Sequence, residues 1–304
     1  MSEIKKTAII GMGALGLLYG NQIQEGLGRE AVSFIVDRDR YERYGARRFS
    51  ICGVDKDFNI ELAEEAKPVD LVIVAVKYNA LESALETMKN VIDEHTIIMS
   101  VMNGITSEEI IGRKYGFSNI IYTVAQGMDA MRFGDSLNYT KMGELRIGVK
   151  AGDDTSNLMA VKALFDKVKM PYTLDEDIIY RMWGKFMLNV GINQTCMMYE
   201  TTYSGALKPG EANDTLIGAM QEVISIANAE GVALSQKDVD YYIDILKTLD
   251  PDGVPSMRQD GIAKRKTEVD MFAGTVIEIA KKHGIEVPVN ERILKSVKKM
   301  EEEF

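Results

Sequence analysis

The chain has 304 residues, of which 46% are hydrophobic and 27% charged, and its formal net charge is −10. This length is typical of two domains that each bury a core of their own. The acidic balance argues against a nucleic-acid partner, because phosphate binding requires a basic face, and no apolar run approaches the ~20 residues that a membrane span requires. Two widely separated cysteines and the lack of a signal-peptide pattern predict a cytoplasmic protein with reduced thiols.

The first predicted element is a strand that runs directly into a glycine-rich loop. The apolar segment 7–10 is followed by Gly11-Met12-Gly13-Ala14-Leu15-Gly16, and a helical pattern begins at once. In this order Gly11 permits a tight turn, Gly13 leaves room for a phosphate, and Gly16 lets the helix pack on the sheet. We therefore predict that residues 11–16 bind a nicotinamide or flavin nucleotide. The alternative is a glycine-rich structural turn.

The rest of the first half alternates strands and helices. The patterns predict a second strand (31–36) ending at Asp37, a short helix (39–46), a polar hairpin region (47–60), strands at 71–76, 96–101, 120–125 and 145–149, helices at 81–92 and 156–168, and a closing edge strand at 171–173. Strands that are apolar throughout are typical of a parallel sheet covered on both faces. We therefore predict an α/β fold whose residues 1–175 form a doubly wound Rossmann domain.

After residue 177 strand signals give way to long helical periodicities. Helices are predicted at 178–198, 212–230, 236–248, 261–283 and 290–302. We predict a second, all-α domain over residues 176–304, with the boundary at 175–177.

Two further loops follow parallel strands, Lys77-Tyr-Asn79 and Met102-Asn103-Gly104. Ligands of open α/β sheets bind outside the carboxyl ends of the strands, so Lys77 and Asn103 are candidates for ligand contact. A solvated lysine and a common Asn-Gly turn are the simpler explanations.

The helix predicted at 178–198 carries a polar stripe. Lys185, Asn189 and Asn193 are spaced four residues apart, which places them on one face along ~12 Å of an otherwise apolar helix. Burying a lysine and two amides is costly without a ligand or partners, and desolvation would lower the pKa of Lys185 toward the range of a general acid. The alternative is an amide ladder that bridges two helices.

Other candidates for chemistry are fewer. Ser256 and Glu268 lie in two polar segments, where a helix N-cap and a solvated carboxylate explain them equally well. His95 lies in a predicted turn and His283 at a predicted helix end before Gly284. With no histidine cluster we expect no metal site and no histidine-based triad, so an enzyme built on this chain would need another acid.

Together these motifs resemble the ketopantoate reductase (2-dehydropantoate 2-reductase) family over essentially the whole chain. The resemblance rests on the loop 11–16, Lys77, Asn103-Gly104, the Lys185/Asn189/Asn193 helix, and Ser256-Met-Arg-Gln-Asp followed by Glu268. It implies a Rossmann domain with a helical domain like that of 6-phosphogluconate dehydrogenases, NADPH-dependent reduction of a small 2-oxo acid in pantothenate and coenzyme A biosynthesis, and a homodimer.

The resemblance also implies roles for individual residues. Lys185 would be the general acid and Glu268 would orient it and bind substrate hydroxyls. The substrate and the nicotinamide end would be held by Asn103, Asn189 and Asn193, with Ser256 on the substrate carboxylate. Lys77 would lie near the adenine ribose phosphate.

Two departures from the family pattern leave alternatives open. Family members often have arginine at the position of Asp37, and an acid there favours NADH, whereas Arg38, Arg40 and Lys77 could receive the 2′-phosphate of NADPH. The segment 194–198 replaces the usual Pro-Leu-Thr-Ala near the expected substrate pocket, which leaves open a different branched 2-oxo acid. The further alternatives are a nucleotide-sensing protein without turnover and a 6-phosphogluconate-like or β-hydroxyacid dehydrogenase.

Overall fold

The computed structural model describes residues 3–45 and 47–304. Ala46, the last residue of the helix predicted at 39–46, lies outside the described residues. The chain divides into two compact units, Met1–Ile178 and Ile179–Phe304. Among the described residues, none of the helices combines the length and the hydropathy of a membrane-spanning segment.

The first unit contains all the strands that the structure describes, together with five helices. The strands are β1 (Thr7–Ile10), β2 (Val32–Val36), β3 (Phe49–Ile51), β4 (Val54–Lys56), β5 (Asn59–Leu62), β6 (Leu71–Val74), β7 (Ile97–Ser100), β8 (Ile120–Gln126), β9 (Met131–Phe133), β10 (Ser136–Asn138), β11 (Glu144–Gly148) and β12 (Tyr172–Leu174). The helices are α1 (Ala14–Leu27), α2 (Arg38–Gly45), α3 (Leu81–Thr87), α4 (Ser107–Tyr115) and α5 (Ser156–Val168). Helix α4 was not predicted from the sequence.

The main sheet has eight strands in the order β12-β11-β8-β7-β6-β1-β2-β5. The six from β5 to β8 are mutually parallel, and their order is that of a dinucleotide-binding Rossmann sheet with β1 at the switch point. Strand β11 runs antiparallel to β8, and β12 closes the edge, as predicted. The central strands β1, β2, β6 and β7 are buried at every position, which explains why their sequences are mainly apolar and do not alternate with polar residues.

A second sheet of four short strands, β4-β3-β10-β9, was missed by the sequence reasoning. The polar region 47–60 does contain a hairpin, formed by β3 and β4, but β5 leaves it to pair with β2 in the main sheet. Strands of three residues are too short to show a period-two pattern, so the β9–β10 hairpin gave no signal.

The second unit is helical in the structure. Its helices are α6 (Ile178–Met198), α7 (Tyr203–Leu207), α8 (Glu211–Ala229), α9 (Gln236–Lys247), α10 (Ser256–Ile262), α11 (Thr275–His283) and α12 (Pro288–Glu301). The bounds of α6 agree with the prediction, and those of α8, α9 and α12 differ from it by one or two residues. The five-residue helix α7 was not predicted.

The helix predicted at 261–283 was wrong as a single element. Helix α10 ends at Ile262, a non-helical segment with Lys264 at φ 50° follows, and a π-helical turn over Asp270–Gly274 leads into α11. Met257 before the break and Val269 and Phe272 after it are buried, so apolar residues continue at near-helical spacing although the backbone leaves the helix. The predicted end at His283 before Gly284 is confirmed, with Gly284 at φ 65°.

Candidate active site

The glycine-rich loop has the backbone geometry of a phosphate cradle. Gly11 has φ +108°, and a Cβ there would lie 2.6 Å from the carbonyl oxygen of Ala75, the residue that follows β6. A Cβ on Gly16 would lie 1.9 Å from the carbonyl oxygen of Gly11, so only glycine allows α1 to approach the loop this closely. Gly13 differs, because a Cβ added there would have the Ala75 carbonyl oxygen, 3.7 Å away, as its nearest neighbour. The space beside Gly13 is therefore open, as a bound pyrophosphate requires.

The amino terminus of α1 completes this cradle. Gly13 is its N-cap residue, with no side-chain hydrogen bond to the first-turn amides and no acidic residue in the first turn. A helix terminus without an internal cap leaves N–H groups and the positive end of the helix dipole for an anion. The loop 11–16 thus fits a dinucleotide.

The three predicted loops lie together at one edge of the sheet. Ile10, Val74 and Ser100 are register partners across β1, β6 and β7, so the segments that follow them are neighbours. Lys77 is exposed and begins a 3₁₀ turn, and Asn103 is half-buried before Gly104, whose φ is +93°. The three loops are therefore neighbours at the carboxyl edge of the sheet in the first unit, and ligand contact by Lys77 and Asn103 stays a prediction.

Asp37 and the two nearby arginines are already engaged with one another or with acids. An Asp37 carboxylate oxygen accepts the Arg40 backbone N–H at 2.8 Å, which makes Asp37 the N-cap of α2, and the other oxygen contacts the Arg40 guanidinium. Arg38 donates to Glu64 at 2.7 Å on the surface. Exposed pairs of this kind are weak, so an incoming phosphate can replace the carboxylates.

Arg132 is a residue of this site that the sequence reasoning missed. It lies on β9 of the second sheet, and its guanidinium donates to the carbonyl oxygen of Met12 in the glycine-rich loop and, at 2.7 Å, to that of Gly134. The group also lies 5.7 Å from the centre of the Phe49 ring. No local motif marks Arg132, because its contact with the loop spans 120 residues of sequence.

A buried acid lies close in sequence to Asn103 and was also missed. Glu108, in the first turn of α4, is 2% exposed and accepts a hydrogen bond at 2.8 Å from Ser107, whose hydroxyl is 2.8 Å from that of Ser100. Burial raises the pKa of Glu108 to about 7, although its hydrogen bonds act in the opposite direction. This network ties the end of β7 to α4 on either side of the Asn103 loop.

In the second unit, the stripe on α6 is connected to α10 by hydrogen bonds. Asn193 donates to the Asn189 side-chain oxygen at 3.2 Å. Its own oxygen accepts the backbone N–H of Met257 at 3.3 Å and the hydroxyl of Ser256 at 3.4 Å. Asn189 and Asn193 are 8% and 5% exposed, so these bonds satisfy amide groups that burial would otherwise penalise. The amide bridge between two helices, raised as the alternative reading, is therefore present.

Ser256 is not the helix N-cap that the sequence suggested. Pro255 is the N-cap of α10 and Ser256 is the first helical residue, exposed to solvent. The backbone N–H of Met257 would usually donate to the side chain of a local N-cap residue. Here it donates to Asn193, which lies on another helix. Asn193 thereby fixes the position of the Ser256 hydroxyl relative to α6.

Lys185 has the electrostatic character expected of a general acid. It retains some solvent exposure, yet the surrounding protein lowers its pKa from 10.5 to about 8, and attraction to Glu268 partly offsets this desolvation. With that pKa the side chain is mainly protonated at neutral pH and still releases its proton readily. Lys185 and Glu268 thus interact, as their predicted pairing requires.

Gln194 begins the segment 194–198, which differs from the family pattern, and the structure explains the glutamine at this position. Gln194 is fully buried, and its amide oxygen accepts the Ala273 backbone N–H at 2.9 Å. Its nitrogen donates to the Val190 carbonyl oxygen at 2.8 Å and to the Asn290 side chain at 3.2 Å. The side chain is thus a core residue that joins α6 to the π turn and α12.

Comparison with known protein families agrees with both halves of this description. Residues 7–152 match the family model "Ketopantoate reductase PanE/ApbA", and residues 177–301 match "Ketopantoate reductase PanE/ApbA C terminal". The chain belongs to the ketopantoate reductase family. Members of this family are NADPH-dependent oxidoreductases, so the protein is an NAD(P)H-dependent reductase with a small-molecule substrate.

Individual relatives are similar over nearly the full length. The 2-dehydropantoate 2-reductase of Aquifex aeolicus is 26% identical over 98% of this chain and 97% of its own. A solved D-mandelate dehydrogenase with NADH has a TM-score of 0.86 and 21% identity, over 98% of this chain and 99% of that one. A dimeric ketopantoate reductase from Staphylococcus aureus has a TM-score of 0.80 and 21% identity over the same shares. The two structures establish the shared fold.

Proposed function

We propose that this protein reduces 2-dehydropantoate (ketopantoate) to pantoate, the step assigned to its family in the pantothenate branch of coenzyme A biosynthesis. The observation that carries the proposal is Lys185, whose pKa of about 8 and attraction to Glu268 suit an acid that protonates a ketone oxygen. Bound NADPH supplies the hydride that reaches the carbonyl carbon.

Each side chain has a separate task in the proposed reaction. Lys185 gives its proton to the carbonyl oxygen as negative charge develops there, and its positive charge stabilises that oxygen before transfer. Glu268 keeps Lys185 charged and oriented and accepts a hydrogen bond from a substrate hydroxyl. Asn189 and Asn193 align the substrate, and the exposed hydroxyl of Ser256 exchanges its long bond to Asn193 for one that it donates to the substrate carboxylate.

We further propose that the cofactor is held by the first unit. The pyrophosphate binds the loop 11–16 and the N-terminus of α1, and Asn103 contacts the nicotinamide end. The 2′-phosphate binds Arg38, Arg40 and Lys77. Arg40 partly neutralises Asp37, which reduces the repulsion that this acid would exert on a phosphate.

A second candidate follows from the combination of Asp37 with the D-mandelate dehydrogenase neighbour, whose structure contains NADH. In this reading the protein uses NADH, with Asp37 accepting from the ribose hydroxyls, and reduces another 2-oxo acid.

One assay separates these candidates. Steady-state kcat/KM is measured for ketopantoate, benzoylformate and 2-oxoisovalerate, each with NADPH and with NADH. The proposal predicts at least tenfold higher kcat/KM for ketopantoate with NADPH than for any other pair. A higher value for benzoylformate with NADH would replace it with the second candidate. NADPH binding without oxidation by any 2-oxo acid would indicate a nucleotide sensor.

We also propose that the protein is a homodimer, as the Staphylococcus aureus relative is named. Light scattering coupled to size-exclusion chromatography should give about twice the chain mass of 33.9 kDa. A mass of one chain at micromolar concentration would contradict this.

A further inference from the structure

The π turn that follows Glu268 has a main-chain amide satisfied by a side chain from another helix. In a π turn the hydrogen bonds span five residues instead of four, so the change of spacing leaves one N–H without a helical acceptor. The carbonyl oxygen of Glu268 accepts from Phe272 at 3.1 Å, and the next amide, that of Ala273, donates to Gln194. The side-chain oxygen of Gln194 thus takes the place of a missing helix carbonyl.

Gln194 is itself held at three points in the core. Besides Ala273 it binds the Val190 carbonyl and Asn290, and Asn290 donates at 2.7 Å to Glu222. Gln194 and Asn290 are both fully buried. A buried network whose members are satisfied is rigid, because any shift would leave a polar group unpaired.

A second contact joins the π turn to α6 beside the proposed acid. The rings of Phe272 and Phe186 lie 6.4 Å apart, and Phe186 directly follows Lys185. The segment that carries Glu268 is therefore attached to α6 at Phe186 and at Gln194, on either side of Asn189 and Asn193. Gln194 supplies the directional part of this attachment, since a hydrogen bond constrains both the distance and the angle between donor and acceptor.

We propose that Gln194 is a positioning residue of the reductase, which holds the π turn so that Glu268 faces Lys185. This inference rests on the proposed function, in which Glu268 acts on Lys185. π turns are frequent at functional sites, and here the turn begins two residues after Glu268. Loss of the Gln194 acceptor frees the Ala273 amide, which lets the turn relax and Glu268 move away.

The first test compares Gln194→Met with Val239→Ala. Methionine has a similar volume without the hydrogen bonds, and Val239 is a fully buried residue of α9 whose truncation costs stability without touching the π turn's amide. We expect kcat for ketopantoate to fall about tenfold to a hundredfold in Gln194→Met. Val239→Ala, with its melting temperature measured alongside, should keep wild-type kcat. Equal kcat in the two variants would overturn the inference.

The second test is a double-mutant cycle with Glu268→Gln. If Gln194 acts through Glu268, adding Gln194→Met to Glu268→Gln should lower kcat less than twofold further. Full additivity of the two losses would show that Gln194 acts elsewhere.

A third measurement needs no turnover and separates the failure of this inference from that of the proposed function. NMR titration of ¹³C-labelled lysine gives the pKa of Lys185, which attraction to Glu268 raises. We expect Gln194→Met to lower this pKa and Val239→Ala to leave it unchanged. If the wild type reduces no 2-oxo acid, the proposed function fails, and the titration still decides about Gln194.

If Gln194→Met does not fold, Gln194→Asn replaces it in this measurement, since asparagine keeps the amide on a shorter side chain. Gln194→Asn should also lower the pKa of Lys185, and an unchanged pKa would refute the inference.

Discussion

The candidate sites of the two units consist of different kinds of chemical group. In the first unit the candidate site is made of backbone groups, since the loop 11–16 offers main-chain amides and a helix N-terminus. Its glycines matter because they have no Cβ atom that would obstruct the turn or a bound phosphate. In the second unit the site is made of side chains on α6, with partners from segments 63 to 83 residues away in sequence. A backbone site is specified locally, whereas a side-chain site depends on how helices pack. Substitutions should therefore affect the two sites in different ways.

The largest effect is expected at Lys185. Lys185→Met should lower kcat by about 10²–10⁴ through loss of the general acid, while the Kd for NADPH changes less than about twofold. The melting temperature should not fall, because the variant no longer buries an ammonium group whose pKa is lowered. Lys247→Met on the surface of α9 is the control and should leave kcat unchanged. If NADPH affinity fell as strongly as kcat, Lys185 would be a cofactor ligand instead.

The pH dependence of reduction tests the same group. Because the reaction needs protonated Lys185 and its pKa is about 8, kcat should be constant at lower pH and fall as pH rises through 8. Glu268→Gln removes an attraction that raises this pKa, so the fall should begin at lower pH. A midpoint above 10, the ordinary value for lysine, would show that Lys185 is not the group that titrates.

In the backbone site, the pair Gly13→Ala and Gly16→Ala should separate binding from folding. At Gly13 the new methyl group contacts only Ala75 at 3.7 Å, so the melting temperature should be unchanged while NADPH affinity falls about tenfold or more. At Gly16 the methyl group would overlap the Gly11 carbonyl, so the melting temperature should fall by about 5 °C or more. Isothermal titration and thermal denaturation measure the two effects. Normal NADPH affinity in Gly13→Ala would place the pyrophosphate elsewhere.

A smaller effect is expected at the rim of the nucleotide site. Arg38→Met should raise the KM for NADPH about tenfold through loss of one charge-assisted contact, and leave the KM for NADH unchanged. Arg43→Met, on the same helix, provides a control of equal charge. Equal losses with both cofactors would remove Arg38 from the 2′-phosphate site.

The smallest effect is expected at Glu108 and concerns stability alone. Its pKa of about 7 lies above the ordinary 4.5, so the wild-type free energy of unfolding should decrease as pH rises from about 4.5 through 7. Glu108→Gln should flatten this dependence and be the more stable protein at pH 8, as measured by urea denaturation between pH 5 and 8. Glu109→Gln, exposed on the same helix, should follow the wild type. A wild-type curve as flat as that of Glu108→Gln would mean that Glu108 titrates normally.

How much of the molecule could be predicted depended on the range of the interactions involved. The helix α6 was predicted within its observed bounds, because 21 residues of unbroken periodicity leave little ambiguity. The break between α10 and α11 was not, since the buried residues keep a helical period while the Ala273 amide finds its acceptor on α6. Arg132 gave no signal for the same reason, since its contact with Met12 spans 120 residues of sequence. Glu108 gave none because its burial is a property of the folded chain, although its partner Ser107 is its neighbour in sequence.

Local amino-acid order is sufficient to specify the glycine-rich cradle, the alternation of strands and helices, and the polar stripe of Lys185, Asn189 and Asn193, because each depends on residues that are near one another in sequence. Long-range packing places the partners of α6: Glu268 interacts with Lys185, α10 contacts Asn193, and the Ala273 amide donates to Gln194. It does so because a buried hydrogen-bonding group must find a partner, and the partner closest in space lies far away in sequence.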